Sequence, residues 1–327
     1  MKAIVITEPG GPEVLQLREV KEPEPAADQL LVSVKATALN RADLLQRLGS
    51  YPPPPGVPVD IPGLEFSGVV EAVGREARTF KQGDRVMGLL AGGGYAEKVV
   101  TPESMALPSP ESWSNEEAAA FPEAYLTAFD ALFQQLGMQM GETLLIHAIG
   151  SGVGLAALQL ATEAGITVLG TSRSSEKLKE AQKHGLDLGI HCVTPEFSKK
   201  VFEFTGSRGV DAIVDFIGAP YWQENLESLA PLGRIILVGL LGGGETETNL
   251  ALLMKKRVQV LGTLLRSRSV WEKAQLTHKV RQQVLPLAEL GRIRPVIDRV
   301  FPLSEAAAAH AYMEKNKNFG KILLKVD

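Results

Sequence analysis

The stretch Thr143–Lys177, TLLIHAIGSGVGLAALQLATEAGITVLGTSRSSEK, decides the fold. It begins with the short apolar run Thr143–Ala148, which has the length of a buried β-strand. The glycine-rich turn Gly150–Gly154 follows, and the Leu- and Ala-rich segment Gly154–Ala164 predicts a helix. A glycine ends that helix, and Ile166–Leu169 is a second β-rich run. This order of elements predicts the first half of a dinucleotide-binding βαβ unit.

The turn between the strand and the helix carries the pattern GxGxxA at Gly152, Gly154 and Ala157. Small residues let backbone N–H groups approach a pyrophosphate, and the positive end of the following helix faces the phosphate. A plain packing turn is the alternative, because the full GxGxxG pattern is missing. The flanking strands and helix favour cofactor binding, and we predict that Ser151, Gly152, Val153 and Gly154 contact the cofactor.

The position about twenty residues beyond the glycines selects the cofactor. A site for NAD usually has Asp or Glu there, whereas this chain has the segment Thr171–Ser175 followed by Lys177. Hydroxyl groups and two cations suit a 2′-phosphate. We therefore predict that Ser172, Arg173 and Lys177 bind NADPH. The alternative is that Arg173 and Lys177 are solvated charges at the start of the next helix.

The composition indicates an ordinary globular protein. The chain has 327 residues, of which 45% are hydrophobic and 22% are charged, which is enough for two domains with full cores. A net charge of -4 with scattered basic residues gives no reason to expect a nucleic-acid partner. Cys192 is the single cysteine, which excludes an intrachain disulfide and a cysteine-based zinc site.

The sequence predicts neither a membrane span nor a secretory segment. Its apolar runs stay below the roughly eighteen residues of a spanning helix, and Pro9–Pro12 interrupt the N-terminal run. We expect a cytoplasmic protein that does not bind membranes.

The chain before the glycine-rich turn indicates a β-rich domain, because short apolar or alternating runs stand between turn residues. We expect strands at Lys2–Thr7, Leu15–Glu19, Gln29–Ala38, Ser67–Val73 and Arg85–Leu89. Helices are predicted at Asn115–Ala120 and Glu123–Leu136, and Pro122 between them marks the domain boundary.

The chain after the second strand predicts further strands and helices. Val210–Ile217 and Arg234–Leu240 are predicted strands that run into Gly218 and Gly242–Gly244, where small residues leave room for a flat nicotinamide ring. We also expect a last strand of this sheet at Arg257–Leu265, a helix at Ser269–Gly291 with a break at Pro286, a helix at Ala306–Glu314 and a terminal strand at Lys321–Val326.

Six strings of the sequence point to one family. They are ALNRADLLQRLGSYPPPPG at Ala38–Gly56, GLEFSGVV at Gly63–Val70, GDRVMGLLAGGGYAEKV at Gly83–Val99, FPEAYLTAF at Phe121–Phe129, LLRSR at Leu264–Arg268 and MEKNKNFGKILL at Met313–Leu324. The chain resembles the medium-chain dehydrogenase/reductase superfamily essentially from end to end. Within it, the strings resemble the zinc-free quinone oxidoreductases, most closely the branch that contains the p53-inducible quinone oxidoreductase.

The resemblance implies an α/β fold with two domains. A GroES-like β-barrel catalytic domain would comprise residues 1–121 and 267–327, interrupted by a Rossmann NADPH-binding domain at residues 122–266. It also implies a homodimer, in which the last strand of the Rossmann sheet pairs with its twin.

The resemblance and the side-chain chemistry together favour a site without zinc. Zinc-dependent relatives carry Cys where Asn40 stands and His where Leu64 stands, and neither replacement can make the usual catalytic zinc site. Glu65 remains, but one carboxylate does not make a site. Without a Lewis acid, the reaction favours an acceptor that is already electrophilic, such as a quinone or an activated enone.

The resemblance also implies roles for single residues. Asn40 and Tyr51 are the catalytic candidates, whose polar ends could orient a carbonyl oxygen or relay a proton. The alternatives are that Asn40 caps a helix and that Tyr51 packs on the prolines after it. His147 would be a wall of the site. The further cofactor-binding candidates are Thr127, Ile217, Gly218, Gly239, Leu240, Leu265, Arg266 and Asn318.

One departure from the family concerns the phosphate site. Family members commonly carry an asparagine–tyrosine pair where this chain has His191 and Cys192. We place Cys192 among the cofactor-binding residues. Two alternatives follow: the phosphate site is weaker than in the family, or Ser172, Arg173 and Lys177 bind more of the phosphate.

These observations predict an NADPH-dependent quinone oxidoreductase that reduces ortho- or para-quinones without a metal. An NADPH-dependent enone or enoyl reductase of the same fold is the alternative enzyme. A non-catalytic NADPH-binding protein is the alternative of another class. The physiological acceptor, and the choice between one-electron and two-electron reduction, stay open at this point.

Overall fold

The computed structural model describes residues 1–326, which form fifteen strands and eleven α-helices. The strands are β1 Lys2–Ile6, β2 Leu15–Glu19, β3 Gln29–Ala38, β4 Glu65–Val73, β5 Arg85–Leu89, β6 Lys98–Pro102, β7 Ala106–Pro108, β8 Thr143–Ile146, β9 Thr167–Ser172, β10 Leu188–His191, β11 Val210–Asp215, β12 Leu229–Leu237, β13 Gln259–Gly262, β14 Ile297–Pro302 and β15 Lys321–Lys325. The helices are α1 Arg41–Arg47, α2 Asn115–Ala119, α3 Pro122–Phe129, α4 Gly152–Glu163, α5 Ser175–Gln182, α6 Ser198–Phe204, α7 Trp222–Ser228, α8 Leu250–Lys256, α9 Val270–Gln283, α10 Leu285–Glu289 and α11 Ala306–Glu314.

The chain divides into two compact units. The first unit comprises Met1–Leu126 and the chain from Leu265 onward, and the second unit is Thr127–Leu264. Residues 122–126 and 265–266, which the sequence assigns to the Rossmann domain, lie in the first unit. For residues 122–126 the reason is local, because the Glu123 N–H donates to Glu65 at 2.8 Å within the first unit.

The first unit is built on a seven-stranded sheet in the order β14-β15-β3-β4-β5-β7, with β6 paired to β3. A separate hairpin joins β1 to β2. The long strand β3 pairs with β15, and this pairing carries the chain near the C-terminus to the start of α1. The Leu39 N–H donates to the Ile322 carbonyl at 2.8 Å, so Lys321 lies beside Asn40.

The second unit is built on a six-stranded parallel sheet in the order β10-β9-β8-β11-β12-β13. This corresponds to the 3-2-1-4-5-6 order of a Rossmann sheet, counting strands along the chain. Its central strands are fully buried, as the apolar run at Leu144–Ile146 predicts. The carboxyl ends of β8, β9, β11 and β12 meet at one edge, where such sheets bind ligands.

The strand predicted at Arg234–Leu240 is found at Leu229–Leu237, and three further predicted elements differ from those found. The helix predicted at Glu123–Leu136 is α-helical only to Phe129 and continues as a π-helix over Asp130–Gln135. The strand predicted at Arg257–Leu265 spans only Gln259–Gly262, because Arg257 ends α8 in the left-handed conformation with φ +54.

The third difference is at the proline of the long C-terminal helix. The predicted break is found, but the chain leaves the helix at Val284, and Pro286 lies in the first turn of α10. A proline fits there because first-turn N–H groups have no intrahelical acceptor.

Candidate functional site

The glycine-rich turn leads from β8 into α4. Ser151 is the N-cap of α4, and its hydroxyl accepts a hydrogen bond from the Gly154 N–H at 3.0 Å. Within residues 1–326, the N–H groups of Gly152 and Val153 have no protein acceptor. Two free donors at the positive end of a helix form a site for an anion such as a phosphate.

Gly154 is required by the close approach of the helix to the turn. A Cβ atom at this position would lie 2.8 Å from the carbonyl oxygens of both Ala148 and Ile149. Ala148 itself has φ +47, a backbone conformation that residues other than glycine rarely adopt. The turn is therefore shaped by main-chain packing as well as by any ligand.

The structure brings together most of the predicted cofactor residues of the second unit. Because β8, β9, β11 and β12 are parallel neighbours, the residues at and after their carboxyl ends share one edge of the sheet. These residues are Ser151, Gly152, Val153, Gly154, Ser172, Arg173, Ile217, Gly218, Gly239 and Leu240.

The predicted 2′-phosphate residues lie where β9 leads into α5. The Ser172 hydroxyl accepts from the Ser174 N–H at 3.1 Å, and the Ser174 hydroxyl caps α5 by accepting from the Lys177 N–H at 3.2 Å. The Arg173 side chain is exposed, and its carbonyl lies 3.1 Å from His191 Nε2. The guanidinium is therefore accessible to a ligand in solution.

A carboxylate shares this turn with the two cations. Glu176 accepts hydrogen bonds from the hydroxyls of Ser174 and Ser175 at 2.8 and 3.2 Å. These hydrogen bonds hold the pKa of Glu176 below its usual value. The turn after β9 therefore carries a negative charge at Glu176 as well as the positive charges of Arg173 and Lys177.

A buried polar chain supports the middle of the same edge. His147 Nδ1 lies 2.8 Å from Thr171 Oγ1, and its Nε2 lies 2.6 Å from Asn225 Oδ1. Asn225 in turn donates to Asp215 at 3.0 Å. Burial lowers the pKa of His147, which favours the neutral ring. Because Asn225 presents its Oδ1, which can only accept, to Nε2, the proton of the neutral ring belongs on Nε2. This arrangement agrees with the interpretation of His147 as a wall.

Asp215 shapes the turn after β11. Its Oδ1 accepts from the N–H groups of Ile217 at 2.6 Å and Gly218 at 3.1 Å. Gly218 has φ +83, and a Cβ atom there would lie 2.5 Å from the Gly243 carbonyl oxygen. Asp215 and Asn225 were not predicted, although an aspartate at a strand end three residues before a glycine is a turn signal that a sequence displays.

Cys192 is buried directly after β10. It is 1% exposed, its thiol donates to the Thr194 carbonyl at 2.9 Å, and it lies in one hydrophobic cluster with Phe197 and Tyr221. A small thiol packs well among aromatic rings, so the side chain contributes to the core of the second unit. The cofactor contact of Cys192 stays a prediction.

The other predicted cofactor residues lie in varied surroundings. Thr127 is buried on α3, whereas Leu240 is 53% exposed after β12. Leu265 is half-buried at the start of the second segment of the first unit. Asn318 donates from its side chain to the Gly320 carbonyl at 2.8 Å, just before β15.

Asn40 belongs to a buried ionic cluster in the first unit. Lys321 Nζ lies 2.7 Å from both Asn40 Oδ1 and Glu65 Oε1, and 3.2 Å from the Leu39 carbonyl oxygen. Asn40 Nδ2 donates to the same Glu65 oxygen at 2.9 Å. Both ends of the Asn40 amide therefore bind protein groups, which favours an orienting role over direct contact with an acceptor.

A second buried network begins at the first turn of α1. The Asp43 carboxylate accepts from the N–H groups of Asn40 and Gly63 at 2.7 and 3.1 Å and from the Tyr95 hydroxyl at 3.1 Å. Burial raises the pKa of Asp43 to about 6. Tyr95 also lies 3.2 Å from His310 Nε2, and burial lowers the pKa of His310 to about 3. The histidine is therefore neutral in the folded protein.

Tyr51 is half-buried and lies against Arg266. The Arg266 guanidinium carbon is 5.1 Å from the centre of the Tyr51 ring, and Nη1 donates to the Tyr51 carbonyl at 3.1 Å. The remaining donors bind Ala91 and Gln46. Arg266, a predicted cofactor residue, thus directs its side chain to the neighbourhood of the predicted catalytic tyrosine.

Among residues 1–326, no group of three or more His, Cys, Asp or Glu side chains could hold a metal ion. No helix in this part of the chain is both long and apolar enough to cross a membrane.

Comparison with known families identifies both units. Residues 26–111 match the alcohol dehydrogenase GroES-like domain, and residues 152–278 match the zinc-binding dehydrogenase family. The chain is 33% identical over 327 residues to the quinone oxidoreductase of Rattus norvegicus, covering 99% of this chain and 97% of the relative. The protein is a medium-chain dehydrogenase/reductase. The predicted superfamily and the GroES-like and Rossmann folds are confirmed, whereas the p53-inducible branch stays a prediction.

Solved structures of the superfamily share this fold along the whole chain. A mycobacterial protein complexed with NADPH is 30% identical, with a TM-score of 0.90, covering 99% of this chain and 100% of that one. An NAD-dependent alcohol dehydrogenase is 33% identical, with a TM-score of 0.89 and full coverage of both chains. The CurK enoyl reductase is 27% identical, with a TM-score of 0.89, covering 100% of this chain and 99% of that one.

Proposed function

We propose that the protein is an NADPH-dependent quinone oxidoreductase that reduces ortho- or para-quinones without a metal. The observation that carries the proposal is the pair of free N–H groups on Gly152 and Val153 at the ligand-binding edge of a Rossmann sheet. The choice of a quinone is supported by the near full-length similarity to the rat quinone oxidoreductase.

The second unit fits a dinucleotide. Ser151–Gly154 would hold its pyrophosphate, and Ser172, Arg173 and Lys177 its 2′-phosphate. Gly154 lets α4 pack closely on the carbonyl groups of Ala148 and Ile149, which keeps the turn and its free N–H groups in place. When bound, the nicotinamide supplies the electrons and the hydrogen that reduce the acceptor.

The first unit supplies the polar groups of the acceptor side. The Tyr51 hydroxyl can donate a proton to an acceptor oxygen as its negative charge develops. Asn40, fixed by Lys321 and Glu65, keeps the start of α1 in place rather than contacting the acceptor. Its amide and the Leu64 side chain leave a catalytic zinc without the nitrogen and sulfur ligands that it prefers.

The test is anaerobic oxidation of NADPH and of NADH, followed optically with a small ortho-quinone and separately with an enone. We expect rapid loss of NADPH with the quinone and slow loss with the enone. NADH used as well as NADPH would contradict the phosphate site, and binding of NADPH without turnover would remove the protein from the enzyme class.

The alternative function is an NADPH-dependent enone or enoyl reductase. The similarity to the CurK enoyl reductase along the whole chain supports it. The same assay separates the two, since turnover with the enone alone would favour this alternative.

We also propose a cytoplasmic homodimer that forms through β13. This strand ends the six-stranded sheet, and within residues 1–326 it pairs only with β12, so its other backbone edge is open. Val260 on β13 is 45% exposed, and the chain leading to β13 carries further exposed apolar side chains: Leu241 at 55%, Leu250 at 64% and Met254 at 78% exposure. A second copy would cover this edge and these side chains together.

A further inference from the structure

Arg266 is a buried cation that bonds only neutral groups. The residue is 6% exposed, and its guanidinium donates to the Ala91 carbonyl at 2.7 Å, the Tyr51 carbonyl at 3.1 Å and Gln46 Oε1 at 2.5 Å. Within the described chain, Arg266 forms no ion pair with a carboxylate. An unpaired buried charge is costly to the fold, so its position calls for a functional reason.

The contacts of Arg266 hold the loop that carries Tyr51. Four prolines, Pro52–Pro55, have no N–H donors, and the loop is held at its ends by main-chain hydrogen bonds from the Tyr51 N–H to Leu45 at 3.2 Å and from the Val57 N–H to Pro54 at 3.3 Å. Arg266 binds the loop at the Tyr51 carbonyl, and Gln46 Nε2 binds it at the Val59 carbonyl at 3.1 Å. Because Arg266 also binds the Gln46 side chain, the two residues form one clamp across both ends of the loop.

The same guanidinium places its charge against the Tyr51 ring. A distance of 5.1 Å from ring centre to guanidinium carbon is within the range of a cation–π contact. Burial raises the pKa of Tyr51 and the Glu123 carboxylate adds to the rise, whereas Arg266 opposes both. The charged groups that act on Arg266 itself are Asp43 and Lys273.

We propose that Arg266 is the positioning residue of Tyr51: with Gln46 it clamps the proline-rich loop, and it sets a positive charge against the tyrosine ring. The proposal rests on the proposed function, in which Tyr51 donates a proton and takes on negative charge. A cation over the ring stabilises that charge as it forms. The role differs from the cofactor contact that the sequence predicts for Arg266.

The first test needs no turnover. The protein is labelled with fluorotyrosine, and the Tyr51 resonance is assigned by its loss in Tyr51→Phe. In Arg266→Gln we expect the ionisation midpoint of Tyr51 to rise by about one pH unit. Arg268→Gln, which removes a positive charge two residues away, should leave the midpoint unchanged. A midpoint that is unchanged in Arg266→Gln, or that moves equally in both variants, would overturn the proposal.

A second variant covers the case in which Arg266→Gln does not fold. Arg266→Lys keeps the positive charge but loses the fork that binds Ala91, Gln46 and Tyr51 together. We expect its Tyr51 fluorine resonance to shift and broaden, because the loop is released. A resonance identical to that of the wild type would refute the clamp.

A double-mutant cycle, with quinone reduction as the readout, tests whether Arg266 acts through Tyr51. Arg266→Gln should lower kcat by about tenfold or more in the wild type, and by less than about twofold in the Tyr51→Phe background. An equal loss of kcat in both backgrounds, or a loss of NADPH affinity alone, would contradict the positioning role and favour the cofactor contact that the sequence predicts for Arg266. If the wild type reduces no quinone, the proposed function fails, whereas the fluorine titration still decides whether Arg266 acts on Tyr51.

Discussion

At the residue scale, the proposed phosphate site predicts that coenzyme preference depends on Arg173 and Lys177. Replacing both by alanine should weaken NADPH binding by roughly tenfold to a hundredfold, because each cation would make a charge-assisted hydrogen bond to the 2′-phosphate. NADH binding should change by less than about twofold, since NADH lacks that phosphate. Fluorescence titration of both coenzymes measures this, with Lys179→Ala, an exposed cation on α5, as the matched control. An equal loss for both coenzymes would contradict the assignment.

A second prediction at the residue scale concerns the protonation of Asp43. Its pKa rises from 3.8 to about 6 on folding because the carboxyl is fully buried, so the folded protein binds the proton more tightly than the unfolded chain. This contributes about 3 kcal/mol to the free energy of unfolding below pH 3.8, and the contribution is lost as the pH rises through about 6. Carbon-13 NMR of the Asp43 carboxyl should show a midpoint near pH 6.

The hydrogen bond from the Tyr95 hydroxyl to Asp43 allows the origin of this pKa to be tested by substitution. Tyr95→Phe removes a donor to the charged carboxylate, so the Asp43 midpoint should move to higher pH. Tyr312→Phe is the matched control, because the Tyr312 hydroxyl donates to Asp298 instead. A midpoint below pH 5 in the wild type, or the same shift in both variants, would be inconsistent with this account.

At the scale of elements, the turn between β8 and α4 depends on the absence of a side chain at Gly154. In Gly154→Ala, the added Cβ atom would lie 2.8 Å from two carbonyl oxygens, so α4 must move away from the turn. We expect a loss of about 1–3 kcal/mol in stability and weaker NADPH binding, because the N–H groups of Gly152 and Val153 move as well. Thermal unfolding with and without NADPH measures both effects.

The control for that variant is Gly262→Ala. Gly262 has no atom within 4 Å of an added Cβ and no positive φ, so alanine should change stability by only a few tenths of a kcal/mol. If Gly154→Ala matches this control in melting temperature and in NADPH affinity, the close-approach account of the turn is wrong.

At the scale of the whole molecule, the open edge of β13 predicts the oligomeric state. The wild type should sediment at twice the mass of the chain, and Val260→Lys should shift it to the monomer, because a charge at the sheet edge opposes strand pairing. Leu290→Lys, at another exposed apolar position, should leave the dimer intact. A monomeric wild type would refute the proposed dimer.

Local patterns account for the elements that were predicted well, and the absence of such a pattern accounts for those that were not. The apolar run of β8 and the caps at Ser114, Ser151 and Ser269 are short-range features that a sequence displays. The π-helical turn at Asp130–Gln135 has no such pattern. Its buried first residue accepts a hydrogen bond from Thr263 at 3.1 Å, a partner far along the chain.

The sequence alone was enough to predict strands β1–β5, β8, β9, β11 and β15, the glycine-rich turn and the cationic residues after β9, whereas β6, β7, β10 and β14 were not predicted. These predictions follow from residues near one another in the chain, where periodicity, capping and turn chemistry act. The resemblance to the family added the replacement of the zinc ligands at Asn40 and Leu64. Only the tertiary structure decided that Lys321 fixes Asn40, that Arg266 lies over Tyr51 and that Cys192 is buried. Those contacts join residues tens to hundreds of positions apart or depend on how the core is filled, and burial and desolvation arise only once the whole unit has folded.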